Sequence, residues 1–316
     1  MHTPHHSYFK NQGQAEAFFD NWVRRIEAQN QCTYQRREVA TVLGKTVVWS
    51  LNADRHDWPA LVIFPGFRTC GLFWDLDNNL APLKASHRIF LVDVNGQPCL
   101  SDGFTPDVKS LGYGEWAADL FDKLALDSAV VAGASFGGLL GLKLAQVAPQ
   151  RVSKLVLMNP GCLQTFSLAP KNLYYNLLPL AWPTERNVRK FLEEAVLYQD
   201  KHQLSAPAMQ LLVDYELFAI KQLKDNTQKP YAMPLEELAS VQVPVYLLLG
   251  DKDILFPYQK SVDAAKKGFK YLRKIQVLPN IGHGIETSPV AIAALAFLVQ
   301  EESCLPIRRA AAGRRG

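Results

Sequence analysis

Ser135 is the first residue of this chain whose surroundings suggest covalent chemistry. It lies in Gly133-Ala134-Ser135-Phe136-Gly137, after an apolar run and before a helix-like pattern. The G-x-S-x-G spacing suits a serine on a sharp strand-to-helix turn, where flanking glycines avoid a clash. The stretch lacks the Lys-Ser/Thr ending of a phosphate-binding loop. We interpret Ser135 as a candidate nucleophile; the alternative is a serine in an ordinary glycine-rich turn.

A nucleophilic serine needs a base to accept its proton, and His283 is the candidate for that role. In hydrolases built on such a turn, the chain order is serine, acid, histidine. Two histidines follow Ser135, namely His202 in a helical segment and His283 in a glycine-bracketed loop before the last helix. A loop on a rigid scaffold is a suitable place for a catalytic imidazole. The loop position favours His283, and the alternative is a solvated histidine.

The base needs a carboxylate to orient it, and two aspartates directly follow a predicted strand. Asp251 and Asp253 occur in Gly250-Asp251-Lys252-Asp253, and Asp253 leads into an apolar stretch that can turn it inward. Asp251 is expected to be solvated beside Lys252. We therefore favour Asp253 as the orienting acid. The alternative is that both acids belong to a turn and only cap the next helix.

Two backbone amides are candidates for binding the negative oxygen of a tetrahedral intermediate. Phe136 directly follows Ser135 at the start of a helix. Phe67 lies in the loop Phe64-Pro65-Gly66-Phe67, and Gly66 lets the backbone of this loop approach the reacting group closely. Pro65 has no backbone N–H and so cannot donate this hydrogen bond. The alternative for this loop is a plain Pro-Gly turn.

The elements that must position these residues alternate between strand and helix. Residues 36–51 read as a hairpin around Leu43-Gly44-Lys45, and short apolar runs separated by helical stripes predict a mostly parallel sheet with helices on both faces. An amphipathic helix over 13–29 is expected on the outside of the sheet. The predicted strands are 60–64, 88–92, 129–132, 154–158, 243–249 and 272–278.

The alternation breaks down between the runs at 154–158 and 243–249. Helical pieces interrupted by prolines fill this segment, which we interpret as a lid over the carboxyl edge of the sheet. Phe166, Tyr174, Tyr175 and Trp182 in the lid either line a substrate pocket or form the core of the lid. The predicted organisation is an N-terminal helical extension (1–35), an α/β core in two parts (36–161 and 241–303), a helical cap (162–240) and a disordered tail (304–316).

Composition excludes several classes of protein. The chain has 316 residues, 48% hydrophobic, and its net charge of +4 equals the four arginines of the tail, which argues against a nucleic-acid partner. Five scattered cysteines suggest reduced thiols and a cytoplasmic location. No apolar run approaches the roughly 18 residues of a membrane span, and no secretory signal is recognised. His2, His5 and His6 are read as a flexible terminus, and no metal site is expected.

Four of these segments together resemble the α/β-hydrolase fold superfamily, in its lidded, single-chain, esterase-like branch. They are the Phe64–Phe67 loop, the Ser135 turn, the Asp251–Asp253 loop and Gly282-His283-Gly284. Family members commonly have His-Gly where this chain has Pro65-Gly66. The resemblance implies an α/β-hydrolase fold, a cap insertion and a Ser135–Asp253–His283 triad that needs no cofactor or metal.

The function predicted on this basis is hydrolysis of a small to medium carboxylic ester through an acyl-enzyme. A serine nucleophile argues against the haloalkane dehalogenases and epoxide hydrolases of the same fold, which use aspartate. Several alternatives share the triad, namely a C–C bond hydrolase, a peptidase, a thioesterase and an acyltransferase. A ligand-binding receptor with slow turnover is an alternative of another class. The expected partner is a small-molecule substrate, and the oligomeric state cannot be read from the sequence.

Overall fold

The computed structural model describes residues 9–198, 204–222 and 229–301. The strands are β1 (Gln35–Thr41), β2 (Gly44–Leu51), β3 (Ala60–Phe64), β4 (Arg88–Asp93), β5 (Ala129–Ala134), β6 (Val152–Met158), β7 (Val245–Gly250) and β8 (Leu272–Leu278). The α-helices are α1 (Gln12–Asn30), α2 (Ala81–Lys84), α3 (Gly112–Lys123), α4 (Phe136–Val147), α5 (Pro170–Ala181), α6 (Glu185–Phe191), α7 (Ala206–Gln222), α8 (Leu235–Ala239), α9 (Tyr258–Gly268) and α10 (Pro289–Gln300). Short 3-10 helices cover Gly71–Asn78, Pro149–Arg151 and Ile285–Thr287, and a π-helix covers Leu192–Val196.

The strands form one sheet in the order β1-β2-β4-β3-β5-β6-β7-β8. The β1–β2 hairpin joins β4 in antiparallel fashion, and all pairs from β4 to β8 are parallel. The apolar runs form these strands because a parallel sheet covered on both faces buries continuous apolar sequence. The mostly parallel α/β architecture predicted from the sequence is confirmed.

The register brings the carboxyl ends of the central strands to one edge of the sheet. Ala134 of β5 lies opposite Met158 of β6, and Met158 lies opposite Leu248 of β7. Gly250 at the end of β7 pairs with Leu278 at the end of β8. The residues that follow these strands therefore meet at this edge, which is where ligands bind in open α/β sheets.

Each face of the sheet is covered by its own apolar cluster. Residues of α3, α4, α8 and α9 belong to the cluster on one face, and residues of α1, α7 and α10 belong to the cluster on the other. The helix predicted over 13–29 is α1. The sequence placed it only on the outside of the sheet, and the structure shows that it packs against α7. The Trp22 indole N–H donates to the carbonyl oxygen of Leu211 in α7 (2.8 Å), and Phe19 contacts Tyr215 of α7 edge to face. Helix α1 therefore joins the interrupting segment to the core.

The segment predicted as a cap contains α5, α6, the π-helix, α7 and α8, and the proposed division into domains stays a prediction. Several large apolar residues on or beside α5 are largely exposed, namely Leu168, Tyr174, Leu177 and Trp182. Helix α7, in contrast, contributes to the core cluster. Residues 304–316, Cys304, His202 and the N-terminal histidines lie outside the described residues. None of the described helices is long and apolar enough to cross a bilayer.

Candidate active site

Ser135 occupies a strained turn between β5 and α4. Its φ of 49° and ψ of −110° lie outside the regions that residues with side chains ordinarily adopt. Its N–H donates to the carbonyl of Met158 (2.9 Å), and its carbonyl accepts from the N–H of Gly161 (3.1 Å). A side chain at Gly137 would overlap the carbonyl of Phe64, so the turn requires glycine there. The sequence expectation of a sharp strand-to-helix turn is met.

His283 lies between Ser135 and Asp253 and is hydrogen-bonded to both. Nδ1 of His283 is 2.8 Å from Oδ2 of Asp253, and Nε2 is 3.0 Å from Oγ of Ser135. The carboxylate partner assigns the proton to Nδ1, which leaves a lone pair on Nε2 facing the serine hydroxyl. Asp253 is 4% exposed. Its Oδ1 accepts hydrogen bonds from two backbone amides, those of Leu255 (2.8 Å) and Phe256 (2.9 Å).

The charges around His283 act on its basicity. Burial lowers the pKa of His283, but the charge and hydrogen bond of Asp253 and the charge of Glu286 raise it, so the pKa lies above its ordinary value. Glu286 is itself buried, and burial raises the pKa of its carboxyl group. A base with a raised pKa attracts the serine proton more strongly, but it must first be deprotonated at the working pH.

The two candidate amide donors belong to segments that adjoin Ser135. Phe136 is the first residue of α4, where a backbone N–H has no partner within the helix. The loop after β3 lies close to the serine, since a side-chain carbon at Gly66 would lie 3.6 Å from Cβ of Ser135. The rings of Phe67 and Phe136 meet edge to face with centroids 6.0 Å apart. The structure thus brings both residues to the serine.

Asn159 is a site residue that the sequence analysis missed. It follows β6 directly, and its side-chain NH₂ donates to the carbonyls of Gly282 (2.8 Å) and His283 (3.1 Å). Its Oδ1 accepts from the N–H of Gly250 (2.8 Å). The side chain therefore joins the loop of the histidine to the end of β7, which leads to the acid. The available signal was its position, a polar residue at the carboxyl end of a central parallel strand.

Asp251, the alternative acid, has a different partner. Its Oδ1 accepts from the backbone N–H of Asn280 (2.6 Å), in the loop that leads to His283. The structure thus places Asp253 on the imidazole and Asp251 on the backbone of the same loop. Glu286 is the other buried acid near the imidazole, and nothing in its local sequence distinguished it from a surface residue of a helix start.

The π-helix Leu192–Val196 contacts the loop of His283 from the interrupting segment. The N–H of Gly284 donates to the carbonyl of Val196 (2.9 Å), and a side chain at Gly282 would come within 2.6 Å of the same oxygen. The two glycines that bracket the histidine therefore allow close approach of another backbone. π-Helices often occur at functional sites.

The aromatic residues predicted for a pocket divide into two pairs. Phe166 and Tyr175 are half-buried and pack against a small cluster that contains Phe256. Phe256 in turn lies 5.4 Å, centroid to centroid, from the ring of His283. Tyr174 is 54% exposed and Trp182 is 66% exposed, so both face solvent. The structure brings the first pair toward the site and leaves the second pair outside it.

Comparison with known proteins gives a consistent family. A model of the alpha/beta hydrolase family matches residues 61–295. The carboxylesterase YbfK of Bacillus subtilis (strain 168) is 25% identical over 249 residues, covering 78% of this chain and 80% of that protein. The crystal structure of naproxen esterase (carboxylesterase NP) from Bacillus subtilis has a TM-score of 0.74 at 21% identity, covering 90% of this chain and 98% of that chain. Since the family model spans most of the sequence, the chain belongs to the alpha/beta hydrolase family.

Proposed function

We propose that this protein is a serine hydrolase that cleaves small to medium carboxylic esters, with Ser135 as nucleophile, His283 as base and Asp253 as the orienting acid. The observation that carries the proposal is the continuous hydrogen-bonded chain from Oγ of Ser135 through the imidazole to Asp253, with distances of 3.0 and 2.8 Å. The names of its relatives, which include two carboxylesterases of Bacillus subtilis, support ester hydrolysis.

In the proposed acylation step, Oγ of Ser135 attacks the ester carbonyl carbon and its proton passes to Nε2 of His283. Asp253 stabilises the imidazolium that results, because its carboxylate accepts the Nδ1–H bond. The carbonyl oxygen becomes negatively charged and accepts hydrogen bonds from the amides of Phe67 and Phe136. Collapse of this intermediate breaks the bond to the alkoxy oxygen, and the alcohol leaves with the proton from Nε2.

Deacylation repeats the sequence with water. Water attacks the acyl carbon and gives a proton to Nε2 of His283, and collapse releases the carboxylic acid as the proton returns to Oγ of Ser135. The two half-reactions consume one water and need no group other than these side chains and amides. Among the described residues, no cluster of three or more histidine, cysteine, aspartate and glutamate side chains is placed to hold a metal.

A fluorophosphonate probe tests the nucleophile, since it reacts with activated serines. We expect labelling of the wild-type protein, loss of labelling in Ser135→Ala, and a decrease in ester turnover on the order of 10⁴-fold or more. Ser128→Ala is the matched control, because Ser128 is exposed and precedes β5. Labelling that persists in Ser135→Ala, or a folded wild-type protein that is never labelled, would contradict the proposal.

A substrate panel distinguishes the ester hydrolase from other reactions of the same side chains. Short- and long-chain nitrophenyl esters test the size range, and thioesters, peptides and a vinylogous diketone test the alternative bonds. Product diverted to an added alcohol identifies an acyltransferase, and tight binding without turnover identifies a receptor. We also propose a cytoplasmic location, because the four described cysteines are free thiols.

A further inference from the structure

The proposed amide donor Phe67 lies in a tight turn over residues 66–69. The carbonyl oxygen of Gly66 accepts hydrogen bonds from the backbone N–H of Thr69 (3.4 Å) and from its hydroxyl group (2.8 Å). The third residue of the turn, Arg68, has a φ of 61°, a conformation for which turns favour glycine or asparagine. Within the described residues the N–H of Phe67 donates to no other group, so it is available to an oxygen of the substrate.

The hydroxyl group of Thr69 fixes the direction of this N–H. A peptide group is planar and trans, so the carbonyl of Gly66 and the N–H of Phe67 belong to one rigid unit and point in opposite directions. Because the carbonyl of Gly66 points to Thr69, the N–H of Phe67 points away from Thr69. The unit also adjoins the serine, since a carbon added at Gly66 would lie 3.5 Å from Oγ1 of Thr69 and 3.6 Å from Cβ of Ser135. The hydroxyl bond polarises the peptide group, which makes its N–H a better donor.

The side chain of Gln97 holds the next peptide group of the turn. Its Oε1 accepts a hydrogen bond from the backbone N–H of Arg68 (2.7 Å). A flip of this peptide group by about 180° separates the two common turn types, and only one of them gives the third residue a positive φ. The bond to Gln97 therefore selects the strained conformation of Arg68. Phe67 thus lies between two peptide groups whose orientations are both fixed by side chains.

Gln97 is itself held in place by the segment that follows β4. It is 1% exposed, its own N–H donates to the carbonyl of Val94 (3.1 Å), and its carbonyl accepts from the N–H of Cys99 (2.7 Å). The carboxyl group of Asp93, at the end of β4, accepts from the N–H of Gly71 (3.0 Å). The loop that carries the donor amide is therefore anchored at two points to the end of β4.

We propose that Thr69 and Gln97 are positioning residues that direct the N–H of Phe67 toward the oxyanion of the tetrahedral intermediate. The inference rests on the proposed function, because it assigns the side chains that hold one of its two amide donors. Each side chain acts through a peptide group of the turn and not on the reacting atoms. A donor that is oriented before the reaction stabilises the developing charge without reorganisation.

Removal of the Thr69 hydroxyl group tests the proposal. Thr69→Val keeps the shape of the side chain and is expected to lower kcat and kcat/KM by the same factor, roughly 10-fold, because only the transition state carries the oxyanion. Thr69→Ser keeps the hydroxyl group and is expected to retain kcat within about threefold.

A trifluoromethyl ketone with the acyl chain of the best nitrophenyl ester measures oxyanion binding directly. Oγ of Ser135 adds to the ketone carbon, its proton passes to Nε2 of His283, and the ketone oxygen becomes an oxyanion. The inhibition constant is expected to rise in Thr69→Val by roughly the same 10-fold factor as the loss in kcat. A residue that only stabilises the fold would not couple these two quantities.

A second variant and a matched control complete the experiment. Gln97→Met removes the acceptor of the Arg68 N–H and is expected to show the same pattern, which keeps the test decisive if Thr69→Val does not fold. Thr41→Val is the control, since the hydroxyl group of Thr41 donates to the carbonyl of Gly44 (2.8 Å) in the β1–β2 hairpin. It is expected to leave kcat and the inhibition constant unchanged. The acidic limb of the pH profile should stay in place in every variant, because none of these side chains belongs to the loop of His283.

The outcomes separate this inference from the proposed function. A labelled, active wild-type protein whose Thr69→Val and Gln97→Met variants keep its kcat and inhibition constant would overturn the inference and leave the ester hydrolase proposal standing. A Thr69→Ser variant as slow as Thr69→Val would also overturn it, since the hydroxyl group would then not be the group that acts. A folded wild-type protein that is neither labelled nor active toward any ester would overturn the proposed function, and this inference with it.

Discussion

Asn159 satisfies three backbone groups of the two loops that carry His283 and Asp253, so it determines how they meet. Asn159→Ala is expected to lower kcat roughly 10- to 100-fold because the imidazole is no longer held in place. It is also expected to lower the free energy of unfolding by roughly 1–3 kcal/mol, since buried groups lose their partner. Kinetics and urea unfolding measure both effects.

Asn172→Ala is the matched control for this prediction. Asn172 is also buried, but its side chain bonds to the carbonyl of Ser167 and to Asn176, within and beside α5. It should lose stability without a comparable fall in kcat. An Asn159→Ala protein with unchanged kcat would show that the histidine loop is held by other contacts.

Glu286 provides a prediction on pH dependence. The proposed mechanism requires neutral His283, so kcat/KM is expected to decrease as the pH falls through the pKa of that residue. The negative charge of Glu286 raises this pKa. Glu286→Gln is therefore expected to move the acidic limb of the pH profile to lower pH, whereas Glu115→Gln, on the exposed side of α3, leaves it in place. A limb that stays in place or moves upward in Glu286→Gln would contradict this assignment.

At the scale of elements, the turn between β5 and α4 depends on the absence of a side chain at Gly137. Gly137→Ala would place a carbon against the carbonyls of Phe64 and Pro65, in the loop that leads to Phe67. We expect this overlap to lower the free energy of unfolding by about 1–3 kcal/mol and to weaken labelling by the fluorophosphonate probe.

Gly13→Ala is the opposite case. The added carbon in α1 would meet only Oδ1 of Asn11 at 3.6 Å, an ordinary contact. Since alanine favours the helix more than glycine does, the free energy of unfolding is expected to rise by up to about 1 kcal/mol. Thermal unfolding of both variants measures the difference, and similar melting temperatures would contradict the role of the turn.

The elements with continuous apolar sequence could be predicted, and those that depend on tertiary contacts could not. The run at 60–64 coincides with β3, which is buried throughout, since burial on both faces leaves a direct signal. The strand predicted over 272–278 coincides with β8, although this edge strand buries only Leu278. The run predicted from Val243 begins only at Val245, because Pro244 has no N–H for the ladder. The 3-10 helix Gly71–Asn78 and the π-helix Leu192–Val196 have no periodic pattern of their own.

At the scale of the whole molecule, α1 stabilises the core through its contact with α7. Trp22 is fully buried, and its indole N–H is hydrogen-bonded to α7. Trp22→Ala is expected to cost roughly 3–5 kcal/mol, the usual range for a large buried aromatic residue. Trp182→Ala, which removes an indole that is 66% exposed, is the control and should change stability by less than about 0.5 kcal/mol. Chemical denaturation measures the free energy of unfolding of both variants, and equal losses in the two would contradict this account.

Residues far apart in the chain form the site, and this limits what the sequence predicts. Ser135, Asp253 and His283 could be predicted as candidates because each follows a strand whose carboxyl end lies at the same edge of the sheet. Asn159 could not, since its position follows from contacts with Gly282 and His283 that no local pattern records. The sequence therefore indicated the proposed reacting groups better than the groups that hold them.

The hydrogen bond between Gly284 and Val196 has a thermodynamic consequence. Because it joins the histidine loop to the π-helix, the two segments share part of their stability, and linkage between them is reciprocal. A reversible ligand that orders the imidazole loop is expected to slow hydrogen exchange of the Gly284 amide, which donates this bond, and a substitution that loosens the π-helix is expected to weaken that ligand by the same free energy.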